Sequence, residues 1–501
     1  MNAPLRRAGV VILVLFALIF GKVNWIQGYK ADEYRTHAYN NRVTIAEYDR
    51  PRGAIEAVGG VALTQNKETN GELKYQRLYP KKEIYAPILG YKMVRGSSVG
   101  IEAAENDILS GASDKLFADR LSDMFTGESK GGGNIVLSLN PRAQEVAWKE
   151  MVNNERDVTK GAAVAIDPTT GAIQALVSMP SYDPNPLASN DANVAAAAYK
   201  KLNADKNQPL LNRATANTLP PGSVFKVIVS AAALKSGQYS LDTQIPAGSV
   251  YREGGATIRN SEDEVCPGDQ ISLKEALTTS CNTGYSKLGV KLGRDAVVDM
   301  AKQFGFEDAS IKVGDLESDK GLSVAASRTG PIANADGSVD KSALAQSSLG
   351  QRDVRMTPLQ GALIAATVAN NGKQMKPYLV QQQLSSDRAT LYTAKPKTLR
   401  EPIDAQVAEG LREMMVSVVQ KGTGKKARID GFTVGGKTGT AQNAEGADPH
   451  GWFIGFAYDE DGKAVSAVCV MLENVPGGHA SAEAARIAGL IMKAAAGQGG
   501  K

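Results

Sequence analysis

Three short stretches of this chain carry the side chains that nucleophilic acyl chemistry needs. The first is Pro220-Pro221-Gly222-Ser223-Val224-Phe225-Lys226. Two prolines and a glycine stop the preceding element. A helix is then expected to start at Ser223 and run through Leu234 to a cap at Gly237. It is apolar almost all round, so it belongs in the middle of its domain. A lysine on such a helix is notable, because lysine is almost never fully buried without a partner. Ser223 and Lys226 are three apart and share one face. Burial disfavours the charged amine, and a neutral amine beside a serine hydroxyl can take its proton and make it a nucleophile. The Ser223 N–H, at a helix start, is free to hold an oxyanion. The competing explanation is a serine N-cap followed by a surface lysine. The apolar surroundings and the Pro-Pro-Gly lead-in favour chemistry.

The second stretch is Ser280-Cys281-Asn282. It follows Ser272-Leu273-Lys274-Glu275, a capping-box pattern that opens a short helix. That helix should stop near Ser280, leaving Asn282 and Gly284 in a turn between two helices. There Ser280 would relay a proton and the Asn282 amide would hold a substrate peptide group. Plain turn chemistry explains most triplets of this kind. The third stretch is Gly435-Gly436-Lys437-Thr438-Gly439-Thr440-Ala441-Gln442. Its glycines allow close backbone approach by a ligand. Lys437 offers positive charge, Thr438 and Thr440 offer hydroxyls for a carboxylate, and the Thr440 N–H would be a second oxyanion donor.

Composition removes the main rivals to this chemistry. The net charge is only +4 over 501 residues, which gives no reason to expect nucleic-acid binding. His37, His450 and His479 are the only histidines, and no C-x-x-C or H-E-x-x-H occurs, so no metal is expected. No phosphate-binding glycine loop is present, and no cofactor is expected.

Further elements must position the three stretches. Ala162–Ile166 and Ala172–Val177 flank Asp167-Pro168-Thr169-Thr170-Gly171 and read as a hairpin. Residues 451–458 and 464–472 form a second hairpin through Asp461-Gly462, and 482–496 a closing helix. Helical patterns at 224–234, 273–279, 285–292, 358–369 and 405–419 lie between them. Strands from the two ends of a region with helices between imply an α+β fold, an antiparallel sheet covered by helices. Residues 27 to about 130 read as a small irregular α+β region. Ser129-Lys130-Gly131-Gly132-Gly133-Asn134 reads as a linker.

At the amino terminus, Arg6 and Arg7 precede an uncharged apolar run from Ala8 to Gly21. Fourteen helical residues reach about 21 Å, short of a ~30 Å hydrocarbon core. Extension to Ile26, with Lys22 snorkelling and Trp25 at the interface, nearly closes the gap. A retained single-pass anchor with a cytoplasmic amino end is favoured over a cleaved signal peptide, since no small-x-small cleavage site follows Phe20.

In this order, Ser223-x-x-Lys226, Ser280-x-Asn282 and Lys437-Thr438-Gly439 resemble the motif set of the penicillin-recognising serine enzymes. Residues 161–185, with Asp167-Pro168 and Pro180-Ser181-Tyr182-Asp183-Pro184-Asn185, are similar to the opening of a penicillin-binding protein transpeptidase domain. Asn212-Arg213, Gly350-Gln351, Thr357-Pro358-Leu359-Gln360 and Trp452-Phe453 extend the likeness over about 161–495. The preceding region resembles that of class B members through Arg52-Gly53-Ala54-Ile55. The shortness of the chain and the Ser-Cys-Asn motif look most like the actinobacterial penicillin-binding protein A type.

The resemblance implies a cytoplasmic tail (1–7), a membrane anchor (8–26), a pedestal or dimerisation-like domain (27–155), a transpeptidase domain (156–496) and a flexible tail (497–501). It also implies a D,D-transpeptidase of peptidoglycan stem peptides, with β-lactams acylating Ser223. Lys226 would be the general base, Ser280 a proton relay aided by Lys437, and Ser223 and Thr440 the oxyanion donors. Thr438, Gly439 and Thr440 would bind substrate. A polytopic glycan polymerase is the implied partner. A β-lactamase of the same chemistry would need a deacylating Glu-x-x-x-Asn arrangement, which is not found. A binding protein that senses β-lactams or muropeptides, and a non-catalytic cell-wall scaffold, are rival functions from different classes. For the cysteines, Cys266–Cys281 pairing across a 15-residue loop and three buried reduced thiols both remain open.

Overall fold

The computed structural model describes residues 2–30, 41–117, 125, 131–261, 265–266, 268–441, 447–477 and 480–497. Its organising element is a five-stranded antiparallel sheet. The strand order is Thr433–Ala441, His450–Tyr458, Ala464–Leu472, Gly161–Ile166, Ile173–Met179. Side chains alternate across a strand. Val164, Ile454 and Cys469 therefore join the cluster that includes helix Pro358–Ala369, while Ala163, Phe453 and Val468 join the cluster of helices Pro141–Val152 and Ala480–Ala496. Both faces are covered, so the strands other than the edge strand Thr433–Ala441 read as largely apolar runs rather than alternating ones. The helix-covered antiparallel sheet expected from the sequence is the observed fold.

Two expectations about the first region change. Helix Pro141–Val152, grouped by sequence with the pedestal, packs on the carboxy-terminal helix Ala480–Ala496 and on strand Ile173–Met179. The pedestal's own sheet is also completed from far along the chain. Its order is Thr390–Thr393, Val380–Leu384, Asn134–Leu137, Ile55–Ala57, Val61–Ala62. The hairpin at 380–393 thus leaves the second region to pair with the first, and Arg388 clamps Glu56 with two 2.9 Å hydrogen bonds. No local pattern announces pairing across more than two hundred residues.

The expected linker is also a packed segment where it is described. Ser129 and Lys130 lie outside the described residues. Gly132 donates its N–H to Pro51 O at 3.0 Å and Gly133 donates to Ile108 O at 2.9 Å. A Cβ on Gly53 would sit 1.7 Å from the Gly133 carbonyl, so glycine is required there by close approach of two backbones.

The residues flanking Gly53 have equally definite work. Arg52 donates to Glu102 at 2.7 Å and Arg77 donates to the same carboxylate at 2.6 Å, all three buried. Burial opposes ionisation of Glu102, but Arg77 and Arg52 outweigh it and hold the carboxyl down to about 2. Because its folded value lies below the unfolded one, its contribution is complete above pH ~4.5 and lost as pH falls toward 2. Glu102→Gln is expected to destabilise the protein by about 3–5 kcal/mol at pH 7, since it takes the carboxylate from buried Arg77 and leaves buried Arg52 to Glu47 at 3.2 Å. Thermal unfolding checks this, and the deficit should narrow as pH falls below about 4.5.

At the amino end, Ala3–Tyr29 forms one exposed 27-residue helical stretch, long and apolar enough to cross a membrane.

Candidate active site

The first stretch does not begin as an α-helix. Gly222–Phe225 forms a 3₁₀ turn that runs directly into the α-helix Lys226–Lys235. Residues three apart eclipse in a 3₁₀ turn, so Ser223 and Lys226 stand on one side. Helix Lys226–Lys235 is buried along nearly its whole length, and Lys226 is fully enclosed. Ser223 stays half-buried at the cleft.

The second stretch also differs from the expected turn. Helix Leu273–Thr278 ends with Ser280 at φ 65°, a left-handed conformation that costs an L-residue energy. A new helix, Asn282–Leu292, starts at once, capped by Cys281, whose sulfur accepts from the Gly284 N–H. Asn282 is therefore the first residue of a helix rather than part of a loop. The local reason is the cap at Cys281, a residue type outside the usual capping set. Cys281 is bonded to Cys266, with a Cα–Cα separation of 5.9 Å, and Cys469 is a buried thiol in the sheet. Closing a 15-residue loop contributes about 3 kcal/mol on the chain-entropy model.

The third stretch lies on the edge strand Thr433–Ala441, which among the described residues pairs with His450–Tyr458 alone. Its outer edge faces the 3₁₀ turn. A Cβ on Gly439 would meet Pro221 O at 2.4 Å and Val224 Cγ2 at 2.9 Å, so only glycine permits this approach.

The three stretches converge on the Ser280 hydroxyl. Lys226 Nζ lies 3.1 Å from Ser280 Oγ, and Lys437 Nζ 3.0 Å from the same oxygen. Lys226 also donates to Ser280 O and to Asn282 Oδ1, each at 2.7 Å. Its amine nitrogen stands 5.6 Å from the centre of the Tyr285 ring. Burial pushes the Lys226 amine well below the usual lysine range, and the charge of Lys437 pushes it further. Burial brings Lys437 down to about 7. A neutral Lys226 has two N–H bonds, which the two 2.7 Å acceptors use, leaving its lone pair for a hydroxyl proton.

Among the described residues no hydrogen bond reaches the Ser223 hydroxyl, so Lys226 is held by the second motif rather than by Ser223. Thr438 is buried and bonded to Thr423 Oγ1, while the exposed Thr440 contacts Ser481 Oγ at 3.4 Å. Gln442 lies outside the described residues.

Several supporting residues carry no sequence signal. Asn260 accepts from the N–H groups of Asn282 and Thr283 at 3.0 and 3.2 Å, and Arg259 O accepts from the Asn282 amide at 3.0 Å. Thr423 is another. Gln351, noted only as part of a resemblance, reaches Thr440 O at 3.4 Å.

Comparison with known proteins agrees with this arrangement. The penicillin binding protein transpeptidase domain model matches residues 161–493, and the penicillin binding protein A dimerisation domain model matches residues 52–135. The chain is 42% identical over 476 residues to the peptidoglycan D,D-transpeptidase PbpA of Mycolicibacterium smegmatis, covering 94% of each chain. It is 41% identical over 482 residues to the protein of that name from Mycobacterium tuberculosis, covering 95% of this chain and 94% of the other. A solved structure of penicillin-binding protein A from M. tuberculosis, a ceftriaxone acyl-enzyme complex, superposes with a TM-score of 0.82 at 39% identity. That match covers 90% of this chain and 99% of the other. From its motifs, its fold and these relatives alike, the chain belongs to the penicillin-binding protein transpeptidase family, as a class B member.

Proposed function

We propose that the protein is a peptidoglycan D,D-transpeptidase that cross-links stem peptides through an acyl-enzyme at Ser223. The observation that carries this reading is the meeting of Lys226 and Lys437 at one serine hydroxyl, Ser280, within 3.1 Å. Ser223 Oγ attacks the carbonyl carbon between the two terminal D-alanines and gives its proton to neutral Lys226. The N–H groups of Ser223 and Thr440 hold the oxyanion that forms. The C–N bond then breaks, and the proton passes from Lys226 through Ser280 to the departing amine. Lys437, Thr438 and Thr440 bind the terminal carboxylate, and Asn282 holds the peptide group of the donor. An amine from a neighbouring stem peptide attacks the ester, forming the cross-link and restoring Ser223. β-Lactams enter the same first step and leave slowly.

Residues 1–7 are assigned to the cytoplasm, 8–26 to the membrane, 27–155 to the pedestal, less the helix Pro141–Val152 that packs on the transpeptidase sheet, and 156–496 to an extracytoplasmic transpeptidase domain. Arg6 and Arg7 support that orientation. The pedestal would dock a polytopic glycan polymerase.

Purified protein supplied with a D-Ala–D-Ala donor and an amine acceptor tests the reading. Cross-linked product with release of one D-alanine is expected. Rapid, sustained hydrolysis of a chromogenic cephalosporin would instead indicate a β-lactamase. The close approach at Gly439 gives a second expected outcome. Gly439→Ala should slow acylation by a β-lactam about 10²-fold by displacing the third motif from the nucleophile. A stopped-flow rate within about threefold of the parent would show that the spacing is not required.

A further inference from the structure

Beside the third motif lies a pair of arginines that the proposed acyl transfer leaves unused. The N–H groups of Arg328 and Arg355 each donate to the other's carbonyl at 2.8 Å. This is the hydrogen-bonded pairing of antiparallel strands, which roots both side chains on one face about 5 Å apart. Like charges placed directly opposite in this way destabilise a fold unless something neutralises them. Among the described residues, neither guanidinium forms an ion pair. Arg355 donates to the carbonyls of Arg352 and Val354, which fixes its position, and the charge of Asp353, already engaged by Arg352, offsets its own only in part. Arg352 differs, since it is engaged by Asp340 at 3.2 Å and by Asp353 at 3.6 Å. Arg328 is exposed and Arg355 half-buried, so an incoming group can reach both.

The pair is tied to the reaction centre by its backbone. Met356, next to Arg355, pairs with Leu219, four residues ahead of the nucleophile. Gly350 accepts from the Gly222 N–H at 3.0 Å, and Gln351 reaches Thr440 O. Arg355 also lies within electrostatic reach of His450, lowering that group's affinity for a proton in addition to burial. His450 pairs across the sheet with Ala441, the residue after Thr440.

Direction along the edge strand decides which part of a peptide comes here. With the reacting carbonyl at Thr440 N–H and the terminal carboxylate toward Thr438, the donor's preceding residues run past Thr440 toward Ala441, the end where Arg355 stands. We propose that Arg328 and Arg355 form an anion subsite for a free carboxylate on a donor residue upstream of the D-Ala–D-Ala end. This rests on the transpeptidase reading above and adds a substrate preference to it. A paired guanidinium site suits a carboxylate through charge-assisted hydrogen bonds and gives nothing comparable to a neutral carboxamide.

The test uses two synthetic D-alanyl thioester donors, identical except that the residue preceding the D-alanine carries a free side-chain carboxylate in one and a carboxamide in the other. Wild-type protein is expected to favour the carboxylate donor about tenfold in kcat/KM, through KM, as befits a partly exposed charge-assisted contact. The double variant Arg328→Gln/Arg355→Gln should use the two donors within about twofold, while Arg328→Lys/Arg355→Lys should keep most of the preference because it keeps the charge. Equal use of both donors by the wild type, or a preference that survives the glutamine variant, overturns the subsite. A wild-type protein acylated by neither donor overturns the transpeptidase reading itself, and the subsite with it.

Discussion

Ser223→Ala is expected to abolish covalent labelling by a fluorescent penicillin and to lower transpeptidation on the order of 10⁴-fold or more, leaving the fold intact. The hydroxyl makes no protein hydrogen bond among the described residues and caps no α-helix, so its loss removes chemistry without removing support. The same variant separates the rival roles. A wall scaffold or a pedestal acting alone would still complement a deletion strain with alanine at 223, and a transpeptidase would not. Thermal melting of the variant within a degree or two of the parent accompanies the expected result.

Lys226→Met is the second large effect, a loss of roughly 10²–10⁴-fold in the acylation rate, the range for removing a positioned general base. Methionine keeps the bulk inside the buried helix and removes the amine. Lys226→Arg is the sharper control. It retains charge and hydrogen-bond donors but cannot deprotonate at any working pH, so it should be as inactive as methionine. The pH profile carries the sign. The base must be neutral, so the rate rises as Lys226 loses its proton, far below the usual lysine range because of burial and the charge of Lys437. Lys437 must be charged to hold a carboxylate, so the rate falls as it deprotonates near 7. Two amines that share the Ser280 hydroxyl titrate as a pair, and the limbs belong to the pair. The expected profile is a bell whose acid limb vanishes in Lys226→Met.

Much of this site was legible in the residues alone. Ser223 and Lys226 stood out because a charged side chain interrupted a helix apolar on every side, and burial is what gives that lysine its role. The paired hairpins at each end of residues 161–472 announced the sheet through turn chemistry and runs of β-formers. Other features depended on contacts that sequence does not encode locally. The 3₁₀ turn at Gly222–Phe225 reflects packing of that turn against the Gly439 strand. Cys281 as a helix cap places Asn282 in a helix, although asparagine there reads as a turn residue. The hairpin at 380–393 completes a sheet begun by residue 55, and the glycines at 131–133 pack rather than link. Apart from the local cap at Cys281, a tertiary partner rather than local propensity decided each outcome.

The most direct test of Ser223 as the nucleophile and Lys226 as its base is the mass of the protease-derived peptides after brief exposure to a β-lactam. The predicted result is one adduct of the intact β-lactam mass, on the peptide containing Ser223, absent from Lys226→Met at the same exposure. An adduct on any other residue, or equal labelling of Ser223 without the amine at 226, would contradict it.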